Sequence, residues 1–427
     1  MILALYRLLS PLLAALAPLA APFAPKLAAT LAWRREAGAP AWPPPDRRPR
    51  YWVHAASAGE LEQARPLLAG LRAREPGAAI MLTLFSASAR RAAAAVDGAD
   101  LVLPLPLDTP RAMGRLLDGF RPDAVAAVKW DLWPNLVLEA ERRGVPVVLL
   151  GAALGEGSRR RRWPGRLLSA PVYRRLAGVG AAGDADAARL RDLGVPAARL
   201  RVTGDTRFDR VLARVAEDRD HPLRGEAADP AGCLVAGSTW PPEEDMLLAA
   251  FAELRAAHPG LRLLLVPHEP RAAVLARLER EAAARGLPLT RLSAAPRLAP
   301  GGVLVVDRVG FLAELYALGD VALVGGGFGD GVHSVLEPAA HGRPVLVGPR
   351  IGRAGEARDL LDAGGGAVFR SAGELTDLWR GWLEDPAARD AAGRAARALV
   401  ASGAGAVDRS LDFLAAVLAG RAGGDGP

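Results

Sequence analysis

From residue 50 onward, short apolar runs are separated by longer stretches in which apolar positions recur every three or four residues. The first pattern reads as buried strands and the second as amphipathic helices packed on them. Strands are predicted at 51–55, 79–84, 101–103, 124–128, 146–150 and 178–181. A second series is predicted at 233–236, 261–266, 303–306, 320–324, 344–348 and 367–369. Helices are predicted between them, among others at 60–73, 134–143, 185–193, 243–257 and 271–285. Two successive sets of strand–helix units imply an α/β chain with two doubly wound domains. The join falls near 208–230, a charged stretch carrying Pro222 and Pro230. The predicted domains are therefore 35–212 and 213–427, preceded by a separate segment, 1–34.

That first segment breaks the pattern. Eighteen uncharged residues, LLSPLLAALAPLAAPFAP, lie between Arg7 and Lys26, close to the minimum for a bilayer span. Pro11, Pro18, Pro22 and Pro25 argue against a straight spanning helix, although lipid-embedded helices tolerate proline. Arg34, Arg35, Arg47, Arg48 and Arg50 follow, which by the positive-inside tendency keeps the body of the protein cytoplasmic. The expectation is a membrane anchor, spanning or in-plane, with the body of the protein on the cytoplasmic side.

Composition narrows the classes. With 51% hydrophobic and 24% charged residues the chain is globular. The net charge of +7 calls for an anionic partner: phospholipid headgroups, a phosphorylated substrate or nucleic acid. The lone Cys233 excludes an intramolecular disulfide framework. Six histidines without paired spacing, and no HExxH or CxxC, speak against a structural metal.

Candidate chemistry sits on loops after predicted strands. In 51-YWVHAASAGELEQARPLLAGL-71, Ser57 stands three residues before Glu60, the spacing of a capping box. Glu60 either closes that box or is a catalytic carboxylate at the carboxyl end of a strand, where open α/β sheets place ligands. In 128-VKWDLWPNL-136, Lys129, Asp131 and Asn135 interleave with tryptophans, as a packed cluster or as a sugar-facing surface. The run Arg159, Arg160, Arg161 and Arg162 is either a solvated face or a contact for phosphate oxygens. In 237-GSTWPPEED-245, Ser238 and Thr239 precede a helix they can cap, or donate to a phosphate at its positive end. Arg271 in 266-VPHEPR-271 suits an anion better than its neighbour His268 does. Five glycines in seven residues, Gly325, Gly326, Gly327, Gly329 and Gly331, exceed what a tight turn requires and read as a ligand loop. Glu337, one turn into the next helix, is placed to accept from ribose hydroxyls.

These motifs, in this order, resemble the 3-deoxy-D-manno-octulosonic acid (Kdo) transferases of lipopolysaccharide synthesis. WVHAASAGE, DLWPN, GDTRFD (204–209), GSTWPPEED and the glycine loop through LEPAAHGRPVLVGP carry the likeness. The resemblance implies a GT-B glycosyltransferase architecture: two Rossmann-like domains facing a cleft, the first for a lipid A precursor and the second for CMP-Kdo. It implies inverting transfer without a metal or other cofactor, with Glu60 as general base. It places Arg207, Ser238, Thr239, His268, Arg271, Gly325, Gly326, Gly327, His333, Ser334 and Glu337 on the donor. It places Ser57, Gly59, Lys129, Asp131, Asn135 and Arg159 to Arg162 on the acceptor. The expected partners are CMP-Kdo, a lipid A precursor and an anionic membrane surface, and not nucleic acid.

The chain departs from the family pattern at three places. Pro267-His268-Glu269 replaces Pro-Arg-His, Ser334 replaces an asparagine after His333, and Lys129 stands where glutamate is common. Two other readings are open: a membrane-associated GT-B enzyme using a UDP-sugar, and a basic scaffold for membrane or nucleic acid. The scaffold is disfavoured because its basic residues sit at strand ends beside glycines and nucleic-acid signature motifs are missing.

Overall fold

In the computed structural model, which describes residues 1–422 apart from 45, 95, 218–231, 295–297, 311 and 353, the strands form two all-parallel sheets. The first contains β1 (Arg50–Ala55), β2 (Ala79–Leu84), β3 (Leu101–Pro104), β4 (Ala124–Val128), β5 (Val147–Ala152), β6 (Gly178–Ala181) and β7 (Leu200–Val202). Its order is β3-β2-β1-β4-β5-β6-β7. The second contains β8 (Cys233–Thr239), β9 (Arg262–Pro267), β10 (Leu289–Arg291), β11 (Val303–Val305), β12 (Val321–Val324), β13 (Val345–Val347) and β14 (Gly366–Val368). Its order is β10-β11-β9-β8-β12-β13-β14. Both are doubly wound, and each reverses its winding once, between β1 and β4 and between β8 and β12. Such a reversal leaves a crevice at the carboxyl ends of the two strands, and that is where this fold class binds ligands.

The central strands are buried on both faces, as their continuous apolar runs require. Along β1, Trp52 enters one core layer with Met81, Val125 and Leu149, while Val53 enters the other with Leu82, Ala126 and Val148. Register follows: Val53 pairs with Leu82 on one side and Ala126 on the other. The second sheet buries Leu234, Leu263 and Leu323 against Phe251 and Trp379.

The predicted strands all occur, within one or two residues at each end except β8, which runs three residues past the predicted 236. Two three-residue edge strands, β7 and β10, were not predicted; Arg201 and Thr290 at their centres are exposed, so neither reads as a buried run. The chain divides into one unit of Met1–Arg210 with Gly405–Pro427 and another of Val211–Ala404. The second domain expected from sequence extends to 427, whereas the helix Ala406–Ala422 belongs with the first unit. Its start is fixed there by Asp209, whose two carboxylate oxygens accept from Gly405 N at 2.6 Å and Val407 N at 2.9 Å. Its Leu411 and Leu414 are buried with Leu67, Leu68 and Val148, and each such leucine contributes roughly 1.5–3 kcal/mol. Most of the join expected at 208–230, with Pro222 and Pro230, lies outside the described residues.

The apolar N-terminal stretch is helical from Ile2 to Ala20, with Pro11 and Pro18 inside, then forms a 3-10 turn at Ala21–Phe23 and a second helix, Pro25–Glu36. The span Ile2–Phe23, with a mean hydropathy of 1.8, is long and apolar enough to cross a membrane.

Candidate functional site

β1 runs into Ala56 and Ser57, and the helix Ala58–Arg74 begins at once. Ser57 occupies the cap position in an extended conformation, yet its side chain takes no helix N–H. Instead its hydroxyl donates to Glu60 Oε2 at 2.9 Å. The capping box is therefore not formed, and the Glu60 carboxylate is not spent on the backbone. Glu60 is 4% exposed, and its second oxygen has no hydrogen-bond partner among the described residues. Around Gly59 there is open space: the nearest atom to a Cβ there would be Ser57 Oγ, at 4.0 Å.

Across the crevice, at the end of β4, Lys129 adopts φ 69° and lays its ammonium 4.2 Å over the Trp130 ring. Asp131 accepts from Trp133 Nε1 at 3.0 Å and lies 3.5 Å from His54 Nε2 and 3.8 Å from Arg160. His54 is fully buried in β1, its Nδ1 against Thr83 Oγ1 at 2.9 Å. It thus ties the ends of β1, β2 and β4 together. Its only cue in the sequence is a histidine inside an otherwise apolar strand.

The structure separates Asn135 from its neighbours in the motif. Asn135 is fully buried; its side-chain amide donates to Ser10 Oγ at 2.9 Å and to the Asp108 carbonyl at 2.6 Å. It is expected on the acceptor but faces the protein's own interior. Asp108 accepts from Asn135 N and Leu136 N at 2.9 and 3.1 Å, capping the helix Pro134–Arg142 from another loop. Burial pushes the Asp108 carboxyl up to about 6, against the pull of these N–H donors. The arginine run lines two cavities. One, of about 330 Å³, is bordered by Arg159 and Arg160 with Leu132, Leu168 and Tyr173. The other, of about 370 Å³, is bordered by Arg161, Arg162 and Arg166 with Glu156 and Asp192.

The segment Gly204–Asp209 is wired to the helix carrying Glu60. Thr206 Oγ1 donates to the Gln63 carbonyl at 2.8 Å, and Gln63 Nε2 donates to Asp205 Oδ1 at 3.0 Å. Arg207, expected on the donor, holds Asp205 through Nε at 2.9 Å. Burial by itself would raise the Asp205 pKa, but Arg207 and the N–H donors bring it below the usual carboxylate range. Gln63 and Asp205 were not among the predicted site residues.

In the second unit the loops after β8 and β12 press together. Ser238 has φ 53°, a left-handed conformation that costs a serine energy. A Cβ on Gly325 would overlap the Ser238 carbonyl, and one on Gly327 would overlap the Gly348 backbone. Only glycine allows these approaches. The glycine loop is held by Glu243, 0% exposed, whose Oε1 accepts from Gly326 N at 3.0 Å and Phe328 N at 3.2 Å. Its other oxygen caps the helix Pro241–Ala257 at Trp240 N, 3.2 Å away. Thr239, expected on a phosphate, is 2% exposed and donates its hydroxyl to Glu244 Oε1 at 2.9 Å. Glu244 also pairs with Arg277. Both glutamates were legible only as polar residues at a helix start.

Beside the loop, Trp240, His268 and His333 form an aromatic stack, with centroid spacings of 4.7 and 4.6 Å. Trp240 Nε1 lies 3.3 Å from His333 Nε2, which then acts as the acceptor. Burial, and then His268 beside it, lower the His333 pKa, so His333 is neutral at pH 7. Arg271 is 73% exposed and pairs with Glu269 at 2.7 Å. Ser334 Oγ accepts from Leu336 N at 3.4 Å, and Glu337 stands in the first turn of the short helix Leu336–Ala340.

Residues 31–210 match the family described as 3-deoxy-D-manno-octulosonic-acid transferase (kdotransferase). The chain is 35% identical to the 3-deoxy-D-manno-octulosonic acid transferase of Bordetella pertussis over 85% of this chain and 86% of that one. It is 29% identical to the enzyme of the same name from Aquifex aeolicus, over 74% and 80%. The structure resembles UDP-GlcNAc 2-epimerase from Neisseria meningitidis with a TM-score of 0.64 over 86% of this chain and 99% of that one. At 15% identity that likeness concerns the fold.

Proposed function

The chain belongs to the Kdo transferase family of glycosyltransferases with GT-B architecture, and we propose that it moves Kdo from CMP-Kdo to a hydroxyl of a lipid A precursor, with Glu60 as general base. The observation that carries this reading is the Glu60 carboxylate: it follows β1 at the winding reversal and is oriented by the Ser57 hydroxyl instead of capping its helix. In the transfer, Glu60 takes the proton of the acceptor hydroxyl as that oxygen attacks the anomeric carbon. The bond from that carbon to the cytidylate phosphate breaks, and its electron pair leaves with CMP. Attack from the face opposite the leaving group inverts the centre.

The donor is assigned to the second unit, where Ser238, the glycine loop and Glu337 surround the ends of β8 and β12, with His268 and Arg271 beside them. The loop's value there is its shape: Glu243 holds its backbone so that a flat base and ribose can approach closely. The step is read as independent of a metal, the negative charge of the departing cytidylate being met by side chains and main-chain dipoles. The apolar N-terminal helix and the arginine-lined cavities support attachment to the cytoplasmic face of the inner membrane, where a lipid acceptor would be met.

Purified protein, CMP-Kdo and a lipid A precursor, with products weighed by mass spectrometry, test the reaction; a parallel screen with UDP-sugars tests the donor. Glu60→Gln is expected to retain CMP-Kdo binding and to lose about 10²–10⁴-fold in turnover. Near-normal turnover in that variant would remove Glu60 from the chemistry.

A further inference from the structure

We propose that the Ile2–Ala20 helix lies in the plane of an anionic phospholipid surface, latched along one edge to the first unit, and does not cross the bilayer. This rests on the membrane attachment proposed above and specifies its geometry. Three polar side chains in the first half of the helix are tied to the body. Tyr6 OH donates to Asp108 Oδ2 at 3.0 Å, Arg7 lies 2.5 Å from Glu139 Oε1, and Ser10 Oγ accepts from Asn135 Nδ2 at 2.9 Å. Asp108, Glu139 and Asn135 are all buried. Asp108 also caps the helix Pro134–Arg142, which contains Asn135, so the latch is part of the fold of the DLWPN segment.

The least exposed positions of the apolar helix are Leu3, Tyr6, Arg7, Ser10, Ala14 and Ala17, the spacing of a single helical face. Leu5, Leu9, Leu12, Leu16 and Leu19 are exposed on the remainder. Nineteen residues make a helix about 28 Å long at about 1.5 Å per residue, barely the thickness of the hydrocarbon core. Crossing would require the whole helix to leave the body, and the buried Asp108 and Glu139 carboxylates would lose partners that offset their desolvation. Lying flat keeps every latch and still buries the leucines.

The neighbouring surface identifies the occupant. The helix Gly165–Tyr173 packs against this one. Its first turn exposes Leu167 by 50%, and the segment leading into it exposes Trp163 by 80%, beside Arg159 to Arg162. Exposed apolar side chains, a tryptophan and a run of arginines close together in the chain are the residue types of a headgroup-depth surface. The sign of the charge selects anionic lipid.

Single cysteines at Leu5, Leu12 and Leu19 of the full chain, labelled with a fluorophore, report depth in phosphatidylcholine vesicles with or without phosphatidylglycerol and depth-placed nitroxide quenchers. The native Cys233 is buried. The expected result is the same shallow depth at all three sites. A maximum at Leu12, with Leu5 and Leu19 near opposite surfaces, would overturn the in-plane geometry while leaving membrane attachment standing. No binding to either vesicle would overturn attachment itself. Replacing Arg159 to Arg162 by serine is expected to lower partition into anionic vesicles about fivefold per arginine and to leave neutral vesicles unchanged; equal loss on both would overturn the lipid assignment. Tyr6→Phe with Ser10→Ala, both on the surface helix, should increase the mobility of a spin label at Leu8 on the bound protein. Unchanged mobility would overturn the latch. A vesicle-free dimer that buries the same leucines would give the surface to a second copy of this chain instead.

Discussion

The two winding reversals have the same topology and are furnished in opposite ways. At the first, between β1 and β4, the strand ends carry side chains with functional groups: Glu60 held by Ser57, His54 beside Asp131, and Lys129 over Trp130. At the second, between β8 and β12, it is lined by main chain: Gly325 against Ser238, Gly327 against Gly348, and the loop held from below by Glu243. On the proposed reading the first does chemistry and needs groups that accept protons or carry charge, and the second holds a flat, polar ligand and needs shape. The lesson is that a shared scaffold does not predict how mutations act. At the first reversal an isosteric change should remove activity and keep the fold, and at the second even an added methyl group should disturb the fold locally.

The strongest test of that contrast is Glu60→Gln, with turnover reduced about 10²–10⁴-fold and the melting temperature unchanged. A large drop in melting temperature would make Glu60 a structural residue like Glu243 and erase the distinction. Glu243→Ala comes next. It strands the Gly326 and Phe328 N–H groups, at about 1–3 kcal/mol each, so thermal unfolding should move down and donor KM should rise while Glu60 chemistry stays intact. A variant with kcat reduced and KM unaltered would mean the loop does not hold the donor. Gly325→Ala is smaller, about 1–3 kcal/mol in stability, with donor affinity lost in proportion, measured by calorimetric titration of CMP-Kdo. Chelation should leave turnover where it was; a rate restored only by added divalent cation would place the leaving-group charge on a metal.

The smallest effect is in pH. The folded Asp205 pKa is held below its unfolded value by Arg207 and the N–H donors. The folded state therefore binds this proton less readily than the unfolded chain does. Its stabilisation is fully present above the unfolded carboxylate pKa, and is lost as pH falls through the lower, folded one. The acid limb of the stability profile should flatten in Asp205→Asn. An unchanged limb would show that the Arg207–Asp205–Gln63 link carries no differential proton affinity.

Legibility differed between the two reversals for the same reason. Side chains at the first are written in the sequence: Lys129 and Asp131 read as candidates from their place after a strand, and Glu60 read as a cap or a catalytic carboxylate until the family motif favoured the second. The second depends on what presses on what. The glycines read as a ligand loop, yet Gly325 and Gly327 are also demanded by packing against Ser238 and Gly348. Thr239 read as a phosphate donor and serves Glu244. Asn135 read as an acceptor contact and holds Ser10.

By itself the sequence determined the parallel strands, the two doubly wound sheets, the apolar N-terminal segment and the family motifs, because periodicity and residue type are local and survive without coordinates. Tertiary structure alone decided that Glu60 leaves its cap, that Asn135 turns inward, that the last helix returns to the first unit, and that Glu243 sets the glycine loop. Each of those depends on which distant polar group a buried donor or acceptor meets, and burial makes that pairing obligatory without any trace of the partner in the neighbouring sequence.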